Sequence, residues 1–307
     1  MPSPQADLER EPWVFLLGRP PMEEYFSFLV SANPGQNVDI PAAAQQWRNA
    51  ADIIDALAVS EAGIANQRTI ADLPANLTDK AKAYIEDPPV AASYAFAPAT
   101  TGVVALGDLI VYQRQVNLRY ANELRARIGN WTLEDEDLLA FCLATDEIAP
   151  PIEGYQSSSD GFIFRSKSTD ARFLGSTLLD AAQVDGSPPL GGRPKYALVL
   201  YVGYSPNTLN VLNIGGRLIL NNGSHRAYAL MASGITHVPA LIQHLSREDD
   251  LVMIPPVRQN TQLYLANPRP PMLKDYFNDS LHAVVNAPPR SRRVGLRFGV
   301  EQVDEPG

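Results

Sequence analysis

The chain has 307 residues, 45% of them hydrophobic and 19% charged, with a net charge of −9. That length exceeds one ordinary core and predicts two domains, or one domain with large extensions. The composition is globular, which excludes a chain disordered over most of its length, and the acidic balance argues against a broad nucleic-acid-binding face.

Taken in order, the first eleven residues are polar and Pro-containing and are expected to fray. Val14 to Leu17 is too short for the apolar core of a secretory signal, and no run approaches the ~18 residues needed to span a bilayer. Asp39 and Pro41 read as the start of a helix running to about Ser60. Trp47, Ala50, Ala51, Ile54, Leu57 and Ala58 share one face of it. A second helix is expected from about Thr78 to Glu86, ending before Pro88-Pro89. A third covers about Asn117 to Ile128, closed by Gly129. A fourth starts near Thr132, with acids in its first turn and the apolar run Leu138 to Leu143 behind them. The single cysteine, Cys142, lies in that run and reads as a buried core thiol. One thiol forms no internal disulfide, which fits a reducing, cytoplasmic compartment. Residues 1–150 therefore read as a mostly helical region.

Residues 144–161 carry Pro150-Pro151, Gly154 and three consecutive serines, which predicts a linker. The apolar Phe162-Ile-Phe164 and the stretch from Arg172 follow, and Ser187 to Pro194 reads as a further loop. Tyr196 to Tyr201 reads as a strand. Leu209 to Ile214 and Arg217 to Leu220 read as two more, joined by a tight Gly215-Gly216 turn. Asn221 to Ser224 turns the chain, a helix runs from about His225 to Ala232 with Gly234 beyond its end, and Thr236 to Ile242 is a last strand. These elements define an expected mixed α/β domain over residues 151–250. Residues 251–307 are Pro-rich and are expected to wrap the surface. Within them Arg269-Pro-Pro-Met echoes Arg19-Pro-Pro-Met. Two copies fall short of a solenoid, and read either as two similar turn-and-helix starts or as paired docking elements.

Charge is distributed unevenly. Residues 1–150 hold 21 acids and 10 bases, whereas 151–307 hold 13 acids and 15 bases. Between Ser187 and Arg247 there is no acid at all, but there are five Arg or Lys residues and three histidines. A positive island in an acidic chain suits a specific anion. The turn Asn221-Asn-Gly-Ser-His-Arg226 offers the donors for one. A helix N-terminus presents unpaired N–H groups and a partial positive charge. Gly223 lets a ligand approach the backbone. Ser224 can cap or donate, and His225 and Arg226 add donors, with Arg217 and Asn222 as further contacts. The structural alternative has Ser224 as a cap and His225 and Arg226 tying helix to sheet. No metal site is read: the histidines show no ligand spacing with each other or with Cys142. No Walker loop, His-Glu-x-x-His or Gly-x-Ser-x-Gly motif occurs.

From about residue 209 to 243 the chain resembles the ParB/sulfiredoxin-like superfamily. The family carries a Gly-x-(His/Arg)-Arg turn between a strand and a helix, followed by a Gly and a Val-Pro strand. Gly223-Ser-His-Arg226, Gly234 and Val238-Pro239 stand in that order here. The resemblance implies an α+β fold, with the helical region packed on a ParB/sulfiredoxin-like domain. It also implies a nucleotide or small phosphorylated ligand, with a phosphotransferase or nucleotide hydrolase as the activity and Mg2+ as a candidate companion of the nucleotide. Ser224 stands where sulfiredoxin has its reactive cysteine, which removes that chemistry. No carboxylate lies near the turn in sequence, so a metal or base would draw on Glu153, Asp160, Asp170 or Asp185. No helix-turn-helix follows Arg247, so the DNA-segregation role is not implied. Two other readings stand beside it. One is a non-enzymatic interaction or scaffold protein that keeps the fold, with a protein partner or a homo-oligomer. The other is a nuclease-like protein, on fold analogy alone. Arg114 and Arg119, set among tyrosines, read as an exposed helix start. Arg290, Arg292, Arg293 and Arg297 read as partners of the acidic half.

Overall fold

The computed structural model describes residues 10–19, 21–143, 149–168, 170–184, 192–247, 250–251, 254–301 and 303. Asp185, the start of the loop expected at Ser187 and most of both chain ends lie outside them. The fold is mixed α+β, in two compact units: Met1–Asp146 with Pro206–Pro289, and Glu147–Ser205 with Arg290–Gly307.

The larger unit contains two sheets. One has the order β12-β1-β4, built from His282–Ala287, Glu11–Leu16 and Gln115–Asn117, all antiparallel. The other has the order β2-β11-β9-β10-β3, built from Ala99–Ala105, His237–Leu245, Asn210–Ile214, Arg217–Asn222 and Ile110–Val111. It is mixed: β11 runs parallel to β9 and β10 parallel to β3, while the other two pairings are antiparallel. Among the described residues the larger unit's helices of six residues or more are α1 (Met22–Ala32), α2 (Ile40–Ser60), α3 (Ala75–Glu86), α4 (Pro88–Ser93), α5 (Leu118–Arg125), α6 (Glu136–Leu143) and α7 (Ser224–Ala232).

Side-chain alternation places the core. In β1, Val14 and Leu16 enter the main cluster, with Leu218, Leu220 and Ile242 of the large sheet and Ala227 and Leu230 of α7. Trp13 and Phe15 point the other way, onto Tyr25 and Phe28 of α1 and Ile54 of α2. The opposite face of the large sheet, through Leu212, Ile214 and Ile219, packs on Tyr264 and Met272. Local signals open two of the expected helices, while α1 and α4 were not expected, α3 begins at Ala75 rather than Thr78, and α5 ends at Arg125 rather than Ile128. The Asp39 carboxylate accepts from the Ala42 N–H at 3.0 Å to open α2, and Asn117 accepts from the Tyr120 N–H at 3.2 Å to open α5. Thr132 and Asp135 bond to each other in a turn, which delays the fourth expected helix to Glu136.

Three expectations are corrected. Residues 1–150 are not merely helical, since four strands lie there and two of them flank the large sheet. Residues 251–307 do not simply wrap the surface: β12 pairs with β1 over six residue pairs, and Tyr264, Met272, Leu273 and Tyr276 are buried. The units also depart from the boundaries expected at 150 and 250, because strands from all three expected regions pair with one another. In the Arg-Pro-Pro-Met copies the arginines pair within the larger unit: Arg19 with the exposed Asp55, and the buried Arg269 with Asp275 and Glu61.

The smaller unit holds a three-stranded antiparallel sheet, β13-β6-β5, from Arg292–Arg297, Gly161–Ser166 and Glu153–Ser158. The expected linker thus contains a strand, and Arg292, Arg293 and Arg297 lie on a strand of this unit. Beside it is a two-stranded ribbon, β7 (Ala171–Asp180) with β8 (Tyr196–Tyr204). Among the described residues of the chain, no helix is long and apolar enough to cross a membrane.

Candidate functional site

The turn between β10 and α7 sits inside the main core of the larger unit. Gly223 has φ +85° and ψ +24°, a left-handed conformation that L side chains rarely adopt. A Cβ there would lie 3.0 Å from the Leu209 Cα. The glycine therefore answers to the approach of Leu209, the residue that leads into strand β9. Its N–H donates to the Asn222 Oδ1 at 2.9 Å, and its carbonyl accepts from the Ala227 N–H at 2.8 Å to start the helix.

The side chains expected to cradle an anion are engaged within the fold. Asn222 donates through Nδ2 to the Pro206 carbonyl at 3.4 Å. Arg226 is 2% exposed, donates through Nη1 to the Asn207 carbonyl, and lies over the Phe141 ring with its guanidinium carbon 5.5 Å from the centroid. His225 accepts at Nε2 from the Asn117 N–H at 3.0 Å and meets the Tyr120 ring edge-on at 5.2 Å. An accepting Nε2 leaves Nδ1 as the protonated nitrogen. Burial, assisted by the neighbouring Arg226 charge, lowers the His225 pKa to about 4, so the ring is neutral near pH 7. Ser224 is buried at the first position of α7. Arg217, on the β10 strand, donates to the Tyr264 carbonyl through Nη1 and to the Asn267 carbonyl through Nη2, each at 2.9 Å.

The structure thus brings Asn222, Gly223, Ser224, His225 and Arg226 together and sets Arg217 at the far end of β10. Sequence reasoning missed the partners of these groups. Asn117 is the clearest of them: its N–H serves His225, its Oδ1 caps α5, and its Nδ2 donates to Glu11 at 2.7 Å. Its position as a helix cap was legible, but the contact with a residue 108 positions away was not. A polar chain, half-buried at Tyr112 and Asn221 and buried at Asn210, runs behind the turn. The Tyr112 hydroxyl donates to the Asn221 carbonyl at 2.9 Å, Asn221 Nδ2 to Asn210 Oδ1 at 2.7 Å, and Asn210 Nδ2 to the Leu241 carbonyl at 3.1 Å. This chain locks β9, β10 and β11 in register.

Of the distant carboxylates, Glu153, Asp160 and Asp170 belong to the smaller unit, and Asp185 lies outside the described residues. Among the described residues, no three His, Cys, Asp or Glu side chains are grouped to hold a metal ion. Comparison with protein-family models, with curated proteins and with solved structures finds no match to the chain.

Proposed function

We propose that this chain is a non-enzymatic interaction protein in which the ParB/sulfiredoxin-like order of strand, turn, helix and strand serves as a packing framework. One observation carries the reading: Asn222, Arg226 and Arg217, donors an anion would need, donate to the protein's own backbone carbonyls, and the His225 ring is held as an acceptor by the Asn117 N–H. An anion would have to displace those bonds. Leaving the buried Tyr264 carbonyl unpaired costs about 1–3 kcal/mol, and the half-buried Asn207 and Asn267 carbonyls and Asn117 N–H add to the cost. A neutral His225 also adds no positive charge to the turn at neutral pH.

The competing reading, a nucleotide- or phosphate-binding enzyme with Mg2+, keeps one asset, the N-terminal dipole of α7. Thermal unfolding separates the two. The full chain is melted with CTP, ATP, ADP, GTP or inorganic phosphate, with and without Mg2+. A ligand at about 100 times its Kd adds roughly 2.7 kcal/mol, a shift of a few degrees. The interaction reading expects an unchanged Tm throughout. A shift of several degrees with any one of them would overturn it in favour of the phosphate-binding reading.

A further inference from the structure

The β7–β8 ribbon carries apolar side chains into solvent. Tyr196, Leu198 and Tyr201 on β8 are 66%, 59% and 47% exposed, and Leu178 and Phe173 on β7 are 66% and 44% exposed. The ribbon touches the neighbouring sheet of its unit through β7 and β13 and through Ser166 and Tyr204, but as a two-stranded ribbon it gains stability from further strands. Its two outer edges differ. The β7 edge is interrupted by a bulge between Phe173 and Gly175 and carries Arg172 and Asp180 near its ends. Bulges and charges blunt an edge against pairing. The β8 edge has neither. Its nine residues, Tyr-Ala-Leu-Val-Leu-Tyr-Val-Gly-Tyr, contain no charge and no proline, and they pair with β7 in unbroken succession. Among the described residues β8 has no other strand neighbour.

We infer that the β8 edge pairs with β8 of a second copy of this chain, antiparallel about a two-fold axis at Leu200, to give a four-stranded sheet β7-β8-β8-β7. The sequence of β8 is self-complementary in that register. Tyr196 meets the second copy's Tyr204, Ala197 its Gly203, Leu198 its Val202, Val199 its Tyr201, and Leu200 its Leu200. Small residues meet small ones, and aromatic residues meet aromatic or β-branched ones, as favourable cross-strand pairs do. The arrangement is isologous and closes on itself. Arg172 and Asp180 are the only charged residues of the two strands and stand at opposite ends of β7. The two-fold brings the Arg172 end of one ribbon to the Asp180 end of the other, so opposite charges share each end of the joined sheet. Face by face, Tyr196, Leu198, Leu200 and Val202 from both copies form one continuous apolar surface. This deepens the interaction reading by naming one partner and rests on it in that respect alone. Nucleotide binding and self-association are measured separately, so each idea fails by its own experiment.

The test is sedimentation of the full chain over a concentration range, joined to cysteine cross-linking. The wild type is expected at twice the 33.5 kDa chain mass. Leu198→Lys sets a charge on the pairing edge in each half of the seam, beside Val202 of the second copy, and is expected to weaken association about a hundredfold. Leu178→Lys, on β7, leaves association unchanged and controls for a general surface effect. Leu200 is the one residue that faces itself, so Leu200→Cys is expected to form a disulfide-linked dimer under mild oxidation, with Cα atoms about 4.5–5.5 Å apart across the pair. Leu198→Cys is expected to remain monomeric on denaturing gels. The native Cys142 is buried and does not compete. A monomer at every concentration overturns the inference. So does a dimer that Leu198→Lys leaves intact while the variant keeps its native circular dichroism, or cross-linking as efficient at 198 as at 200.

Discussion

The backbone N–H of Asn117 donates to Nε2 of His225 across 3.0 Å and couples the start of α5 to the first turn of α7. A proton on Nε2 would remove this acceptor and place a charge in the core beside Arg226. Burial accordingly lowers the His225 pKa from the ordinary 6.5 to about 4. The unfolded chain therefore binds this proton more tightly than the folded one. The resulting stabilisation is complete above pH 6.5 and is lost as the pH falls toward 4. Its size is on the order of 3 kcal/mol. Urea unfolding at pH 7.5 and at pH 4.5 is expected to show this loss, and His225→Gln, which cannot titrate, is expected to flatten it. Equal pH slopes in wild type and variant would rule His225 out as the source.

Glycine replacements separate a packed turn from an open one. Gly223→Ala meets both a left-handed φ and the Leu209 backbone at 3.0 Å, and is expected to cost about 2–4 kcal/mol. Gly215, at φ +57° in the β9–β10 hairpin, faces open space, with no atom within 4 Å of where a Cβ would stand. Gly215→Asn suits that turn and is expected to cost under about 1 kcal/mol. Chemical unfolding of the two variants decides the matter. Equal losses would mean that the Gly223 turn is not constrained by its contact with Leu209.

Elements with a local cause were legible in the sequence. The Asp39 cap, the helical face around Ile54, the Gly215-Gly216 hairpin and the strand-turn-helix order from 210 to 245 all follow from neighbours in the chain. What escaped was pairing at a distance. Trp13-Val-Phe-Leu16 is apolar without alternation because both faces of β1 are buried, and this pattern alone does not distinguish a strand from a helix. Its partner β12 lies some 270 residues away in a segment whose prolines suggested a surface path. The turn at Gly223 was legible as a strand-to-helix junction. Its inward hydrogen bonds were not, because Asn117, Asn207 and Phe141 reach it only through the fold.

Cys142 reports on global stability through its own chemistry. The thiol is fully buried, and desolvation raises its pKa to about 12. Neither access nor thiolate is available in the native state, so a thiol reagent at pH 8 is expected to react only through opening of the core. The labelling rate should rise with urea in step with unfolding measured by circular dichroism. Rapid, stoichiometric labelling in buffer would show that the α6 region opens independently.

The two Arg-Pro-Pro-Met copies differ most in the fate of their arginines. Arg269 is 2% exposed and forks onto Asp275, with Nη2 donating to Oδ1 at 2.6 Å and Nη1 to Oδ2, while its Nε donates to Glu61 at 3.1 Å. Lys274 also donates to Glu61, at 2.8 Å. Burial alone would raise the Glu61 pKa, but the bonds from Lys274 and Arg269 outweigh it and hold the carboxyl below its usual range. Asp275 in turn accepts from the Met272 N–H at 2.8 Å, so the cluster shapes the backbone around it. Arg19 pairs with Asp55 at 3.2 Å, and that carboxylate is 72% exposed. Breaking a buried pair leaves an uncompensated charge and costs about 3–5 kcal/mol, whereas an exposed pair is worth about 0.2–1 kcal/mol. Arg269→Met is therefore expected to lower stability by several kcal/mol and Arg19→Met by less than about 1 kcal/mol. Adding Asp275→Leu to Arg269→Met should recover part of the loss, because it removes the stranded carboxylate. Equal costs for the two arginines, or no recovery in the double variant, would show that the buried cluster contributes through packing rather than through charge.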